Sequence, residues 1–207
     1  MDTLDAVNRE IRDCRLCGLA KDRRYAVPGE GPSDARIMFI GEAPGYHEDQ
    51  QGRPFVGAAG QFLESLLKGI GLSRRDVFIC NVIKCRPPEN RAPLPDELSL
   101  CRPYLDRQLT LIKPQVVITL GRFSMEIVFK GVSITKIHGI ARKIDGVTYI
   151  PMFHPAAALH QPKYRSLIEE DFARIPAILA EIARLEAPPP PPAAPEPEPP
   201  QQLSLFN

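Results

Sequence analysis

The chain has 207 residues, 43% of them hydrophobic and 25% charged, with a formal charge of +1; that is enough for one domain with a substantial core and too little for two of ordinary size. No window approaches the roughly 18 uninterrupted apolar residues of a membrane span. The opening Met1-Asp2-Thr3-Leu4-Asp5 lacks the basic-then-apolar order of a signal peptide, so a soluble, cytoplasmic monomer is expected. Charge alone does not mark a nucleic-acid binder: without Glu196 and Glu198 of the tail, 26 basic residues face 23 acidic ones.

Along the chain, Cys14-x-x-Cys17 comes first, in a segment read as a loop. Four β-branched, apolar runs then read as buried strands: Arg36–Gly41, Val77–Lys84, Gln115–Leu120 and Thr148–Phe153. Helical spacing fills the intervals. Gln61–Ile70 carries Phe62, Leu63, Leu66, Leu67 and Ile70, and Asp96–Ile112 starts on a capping aspartate and stops at Lys113-Pro114. Phe123–Phe129 and Ser166–Leu185 follow, the latter expected to be kinked or divided by Pro176. Alternating strands and helices predict an α/β fold, a three-layer α/β/α domain around a mainly parallel four-stranded sheet. In such sheets ligands sit at the carboxyl ends of strands. The exits Gly41-Glu42-Ala43-Pro44-Gly45, Asn81–Arg86 and Phe153-His154-Pro155 therefore share one rim, where a site is expected.

Five cysteines in a cytoplasmic chain argue against a disulfide framework. The two-residue gap lets Cys14 and Cys17 reach one metal centre, with Cys85 and Cys101 as a second pair. Four thiolates suit zinc or a [4Fe–4S] cluster alike, and spacing does not choose between them. Cys80 lies in an apolar run and reads as core. The glycine–proline turn at 41–45 is neither of the common phosphate-binding glycine motifs. The proline after His154 holds that residue extended at the rim.

Taken together, Cys14-x-x-Cys17, Gly41-Glu42-Ala43-Pro44-Gly45, Gly52-Arg53-Pro54-Phe55-Val56-Gly57, Asn81-Val82-Ile83-Lys84-Cys85-Arg86-Pro87-Pro88, Asn90-Arg91 and His154-Pro155-Ala156-Ala157 resemble family 4 uracil-DNA glycosylases, in order, from about Leu4 to Ile182. The resemblance implies a [4Fe–4S] cluster on Cys14, Cys17, Cys85 and Cys101, structural in role. It also implies excision of uracil from single- or double-stranded DNA, leaving an abasic site for base excision repair. Uracil must then be flipped into a closed pocket. Phe55 would stack on the base, and the Asn81 amide would pair with O4 and N3–H, a pattern cytosine reverses. His154 would donate to O2 of the departing anion, a role typically worth about 3–4 kcal/mol.

Glu42 would order the pocket or the attacking water, with backbone N–H groups near Ala43 and Pro44 lining it. Related glycosylases carry an aspartate where this chain has Ala43, so water falls to Glu42, Asn90 or a backbone carbonyl. The histidine-bearing insertion of a crosslinking class is absent after Arg91, so turnover is expected. Lys84, Arg86, Arg91 and Arg102 are candidate phosphate contacts, as is His138 ahead of an expected hairpin; His47 and His160 read as surface residues. Two rivals remain: excision of other deaminated bases, and a non-catalytic, zinc-stabilised nucleic-acid-binding module.

The domain is expected to span 1–186. Residues 187–200 are almost wholly proline, alanine and glutamate, a polyproline-rich spacer of up to roughly 40 Å. Apolar residues return at 201–207, where Gln202, Leu203, Leu205 and Phe206 resemble the short peptide with which bacterial repair proteins dock on the sliding clamp.

Overall fold

The computed structural model describes residues 2–186; the linker and terminal peptide expected at 187–207 lie outside the described residues. The chain opens with α1 (Leu4–Asp13), capped by Thr3, whose hydroxyl accepts from the Ala6 N–H at 3.1 Å. Only Val7 and Ile11 of this helix are buried, too few apolar positions to register as a periodic run. Next come β1 (Ile37–Gly41), α2 (Tyr46–Gln51), α3 (Ala58–Gly69), β2 (Phe78–Asn81), α4 (Pro95–Ile112) and β3 (Val116–Leu120). The second half adds α5 (Arg122–Met125), α6 (Ile134–Ile137), β4 (Arg142–Ile144), β5 (Val147–Met152), α7 (Pro155–His160) and α8 (Pro162–Glu186).

The sheet has five strands in the order β2-β1-β3-β5-β4, not the four expected. β1, β2, β3 and β5 run parallel, and β4 pairs antiparallel with β5. The added strand is a three-residue edge whose Arg142 and Lys143 are exposed, so no apolar run announces it. It turns into β5 through Asp145 (φ 49°) and Gly146 (φ 85°), the Asp-Gly pair that a tight hairpin of this hand favours.

Alternate residues of β1 serve opposite layers. Ile37 and Phe39 pack with Leu63 and Leu67 of α3 and Ile168, Phe172 and Ile175 of α8; Met38 and Ile40 pack with Leu105 and Ile112 of α4. The Phe39 and Phe172 rings stack at 5.9 Å between centroids. Three further expectations change. β2 ends at Asn81, because Val82 and Ile83 turn their N–H groups onto the carbonyls of Gly41 and Glu42. The helix expected at Phe123–Phe129 is the short α5. Finally, α8 is neither divided nor late: it runs from Pro162 through Pro176, held in the core by Phe172 and Ile175 before the proline and Ile182 after it.

Candidate active site

Parallel strands deliver their exits to one edge, and there the expected residues meet. Glu42, Ala43, Pro44, Phe55, Asn81, Asn90 and His154 all line one cavity of about 470 Å³. Glu48 and His160, not assigned to the site from sequence, line it too. Glu48 had a signal: glycine followed three residues later by glutamate at the start of a helix.

Phe55 is buried, with φ of 52°. A non-glycine residue held there carries strain of about 1–3 kcal/mol, so its surroundings must hold it. Arg74 donates to the carbonyls of Pro54 at 2.6 Å and Phe55 at 3.0 Å. Glu48 accepts from the N–H groups of Val56 and Gly57 at 2.8 and 2.9 Å through one oxygen, and from Gly45 at 3.1 Å through the other. One carboxylate thus fastens the turn after β1 to the loop carrying Phe55. Gly60 is required by the same loop, since a Cβ there would lie 1.9 Å from the Phe55 carbonyl oxygen.

Asn81, the last residue of β2, is 1% exposed, and its Oδ1 has no partner among the described residues. Thr119 Oγ1 is also unpartnered, but Thr119 does not line the cavity. A Cβ on Gly41 would come within 2.4 Å of Asn81 Oδ1 and 2.6 Å of the Phe55 ring. Glycine there lets the amide and the aromatic face share one wall.

His154 caps α7, and its Nδ1 lies 3.1 Å from the Ala156 N–H. A backbone N–H only donates, so Nδ1 is the acceptor and the neutral ring carries its proton on Nε2. Burial pushes the His154 pKa down to about 4, against the opposing influence of Glu48. The ring stacks on Phe55 with centroids 5.5 Å apart. Burial also raises the pKa of Glu42, partly offset by Arg122.

At the rim, Asn90 is exposed with φ of 55°, and its Oδ1 accepts from Arg86 at 2.7 Å. The Arg86 guanidinium lies over the Tyr46 ring at 5.2 Å. Arg91 pairs with Glu97 at 2.6 Å and Arg102 with Asp106 at 2.6 Å. Lys84 is no phosphate contact: it is 1% exposed. His138 is paired with the buried Asp171 at 2.7 Å.

Cys14, Cys17, Cys85 and Cys101 line a second, small cavity together with Arg23 and Lys84. They surround it without converging as the ligands of a single ion do: among the described residues no group of three or more His, Cys, Asp or Glu is so gathered. Burial raises the Cys85 thiol, and pushes Cys101 up to about 11. The Arg23 guanidinium donates to Cys85 Sγ at 2.9 Å and to the Cys14 carbonyl at 2.8 Å. Cys80 is fully buried and outside this cavity, as expected of a core residue.

A three-layer α/β domain with an amide, an aromatic face and a neutral imidazole donor in one cup has the equipment of an enzyme that takes a flat heterocycle with polar edges. Residues 28–176 match the family model described as Uracil DNA glycosylase superfamily. A type-4 uracil-DNA glycosylase of Saccharolobus solfataricus is 50% identical over 190 residues, covering 87% of this chain and 88% of the relative. One of Sulfurisphaera tokodaii is 49% identical (84% of each chain), and one of Archaeoglobus fulgidus 45% identical (84% of this chain, 92% of the relative). The chain belongs to the uracil DNA glycosylase superfamily and, within it, to the type-4 uracil-DNA glycosylases.

The histidine makes a pH prediction. Its folded-state pKa lies below the ordinary value of 6.5, so the unfolded chain binds the extra proton first. Its stabilising contribution is complete above about pH 6.5 and drains as pH falls toward 4. Between pH 7 and 4.5 the urea midpoint of the wild type should fall more than that of His154→Gln. A His154 ring-proton resonance titrating at pH 6 or above would contradict the assignment.

Proposed function

We propose that this chain excises uracil from DNA: the flipped base enters the 470 Å³ cavity, and hydrolysis of its bond to deoxyribose leaves an abasic site for repair. The unpartnered, buried Asn81 Oδ1 carries this reading. A buried acceptor without a donor is costly, and the N3–H of uracil supplies the donor while the Asn81 amide N–H answers O4. Cytosine offers an acceptor at N3 and a donor at position 4, leaving both amide atoms opposed.

As the C1′–N1 bond breaks, its electron pair goes to uracil, and the Nε2–H of His154 meets the negative charge at O2. Water then adds to C1′, and its proton must be accepted. Glu42 suits that step best. Asn90 already receives Arg86, and the Gly41 and Glu42 carbonyls receive Val82 and Ile83. A carboxylate whose pKa is raised by burial is also the better proton acceptor. Phe55 supplies the stacking face.

Cys14, Cys17, Cys85 and Cys101 are assigned here to a [4Fe–4S] cluster. The donor set supports it: four sulfurs line one cavity, and Arg23 and Lys84 beside them partly oppose the burial that raises Cys85 and Cys101. When bound, the cluster would tie the segment after α1 to α4 and the stretch following β2. Gln202, Leu203, Leu205 and Phe206 are assigned to a sliding clamp, tethered by residues 187–200 in a cytoplasmic enzyme.

Five outcomes test these assignments. The wild type should release free uracil from a uracil-containing oligonucleotide, and absence of release sinks the proposal. Asn81→Asp should slow excision by about tenfold or more and admit some cytosine, whose amino group a carboxylate accepts. His154→Ala should reduce the single-turnover rate by about 100- to 1000-fold with little change in DNA affinity. For the cysteines, Cys85→Ser should remove bound iron and Cys80→Ser should not; the reverse pattern would reassign the ligands. For the tail, Leu205→Ala with Phe206→Ala should abolish clamp binding in calorimetry while leaving excision from short oligonucleotides intact. Undiminished heat from that double variant would remove the peptide's role.

A further inference from the structure

Lys84 is a cation buried to 1% exposure, and none of the ion pairs among the described residues includes it. Its Nζ donates to the Asn81 carbonyl at 2.8 Å and to Gln108 Oε1 at 2.7 Å. Gln108 cannot turn away: it is fully buried, and its own amide N–H donates to the Pro28 carbonyl at 2.9 Å. The Lys84 backbone is held as well, its carbonyl accepting from the Val27 N–H at 2.7 Å.

A methionine would fill nearly the same volume without desolvating a charge. What the ammonium adds is a fixed donor for the carbonyl of the residue whose side chain reads the base. The Asn81 backbone is thereby gripped from the protein interior while its amide meets the cavity. A site of this kind needs its reading group placed to within about half an ångström.

We propose that Lys84 is a positioning residue for Asn81, and that it ties the base reader to the cysteine cavity, which it helps to line. This rests on Asn81 being the reader, so the experiment separates the two claims. The full-length protein, purified with its bound iron, is compared with Lys84→Met and with Gln108→Leu. Gln108→Leu disturbs the same buried network but leaves the Lys84–Asn81 bond in place. Each is measured for affinity for free uracil, affinity for an abasic-site oligonucleotide, single-turnover excision, visible absorbance and melting temperature.

In Lys84→Met, uracil affinity and excision should fall by about ten- to a hundredfold, as for a lost hydrogen bond to a charged group, with abasic-site affinity retained. In Gln108→Leu both affinities should stay near wild type even where the melting temperature drops. If Lys84→Met does not yield folded protein, Lys84→Gln, one bond shorter, is read in its place. Unchanged uracil affinity in the lysine variant overturns the proposal. So does equal loss of both affinities, or the same uracil loss in Gln108→Leu, each of which would make Lys84 merely structural. A wild type that neither binds nor releases uracil would instead fail the reading of Asn81 itself.

Discussion

A Cβ at position 41 would stand 2.4 Å from Asn81 Oδ1 and 2.6 Å from the Phe55 ring, and the pocket is built in the room its absence leaves. β1 and β2 are neighbouring parallel strands whose registers bring Gly41 opposite Asn81 at their common exit. In most sheets that meeting would be filled by two side chains packing on each other. Here one partner has none, so the amide of the other lies across the strand end and the aromatic ring closes over both. Aromatic face and amide therefore share one wall of the cavity, a consequence of strand register and one missing methyl group.

Such an arrangement stores strain and unmet polarity, and both are balanced by groups outside the cavity or at its edge. Phe55 is kept at positive φ by Arg74, which Glu30 and Glu64 accompany at 3.4 and 3.5 Å. Glu48 spends its two oxygens on three backbone N–H groups from two loops. Lys84 does the equivalent for the Asn81 carbonyl from within. In each case a charged side chain grips main chain rather than an opposite charge alone. That choice fixes peptide planes, and peptide planes aim the side chains that line the cavity.

Much of this was legible in the sequence because the parallel strands are short, apolar and punctuated. The exits after Gly41, Asn81 and Phe153 could be placed on one rim from order alone, and the cavity lining followed. β4 was legible only as an arm of the hairpin expected after His138, since an exposed three-residue edge carries no apolar signal of its own, and α1, with two buried positions, was not legible. Pro176 misled, because helix packing on either side of a proline outweighs its local preference against helix. Lys84 misled in the opposite direction: beside arginines in a basic stretch, a lysine reads as a surface charge. Only the fold reveals that the chain turns inward after Asn81, with Gln108 of α4 waiting to receive it. Glu48 shows the same limit, for its cap is visible in sequence while its reach to Val56 and Gly57 is tertiary.

The neutral state of His154 completes the electrostatic design. A protonated imidazole would bind an anion more strongly in isolation, yet it would also be drawn to the Glu48 carboxylate, the charge that opposes its neutrality. The Ala156 N–H occupies Nδ1, and burial resists a second proton. In the reaction proposed above, the ring would present a single Nε2–H whose interaction grows only as charge builds on the leaving base, the condition for selective stabilisation of a transition state. Burial raises the pKa of Glu42 and Arg122 partly opposes it, which leaves the carboxylate a better proton acceptor than an exposed one. The helix cap that orients the histidine thus also fixes its tautomer, so the local turn His154-Pro155-Ala156 sets position, proton and charge together.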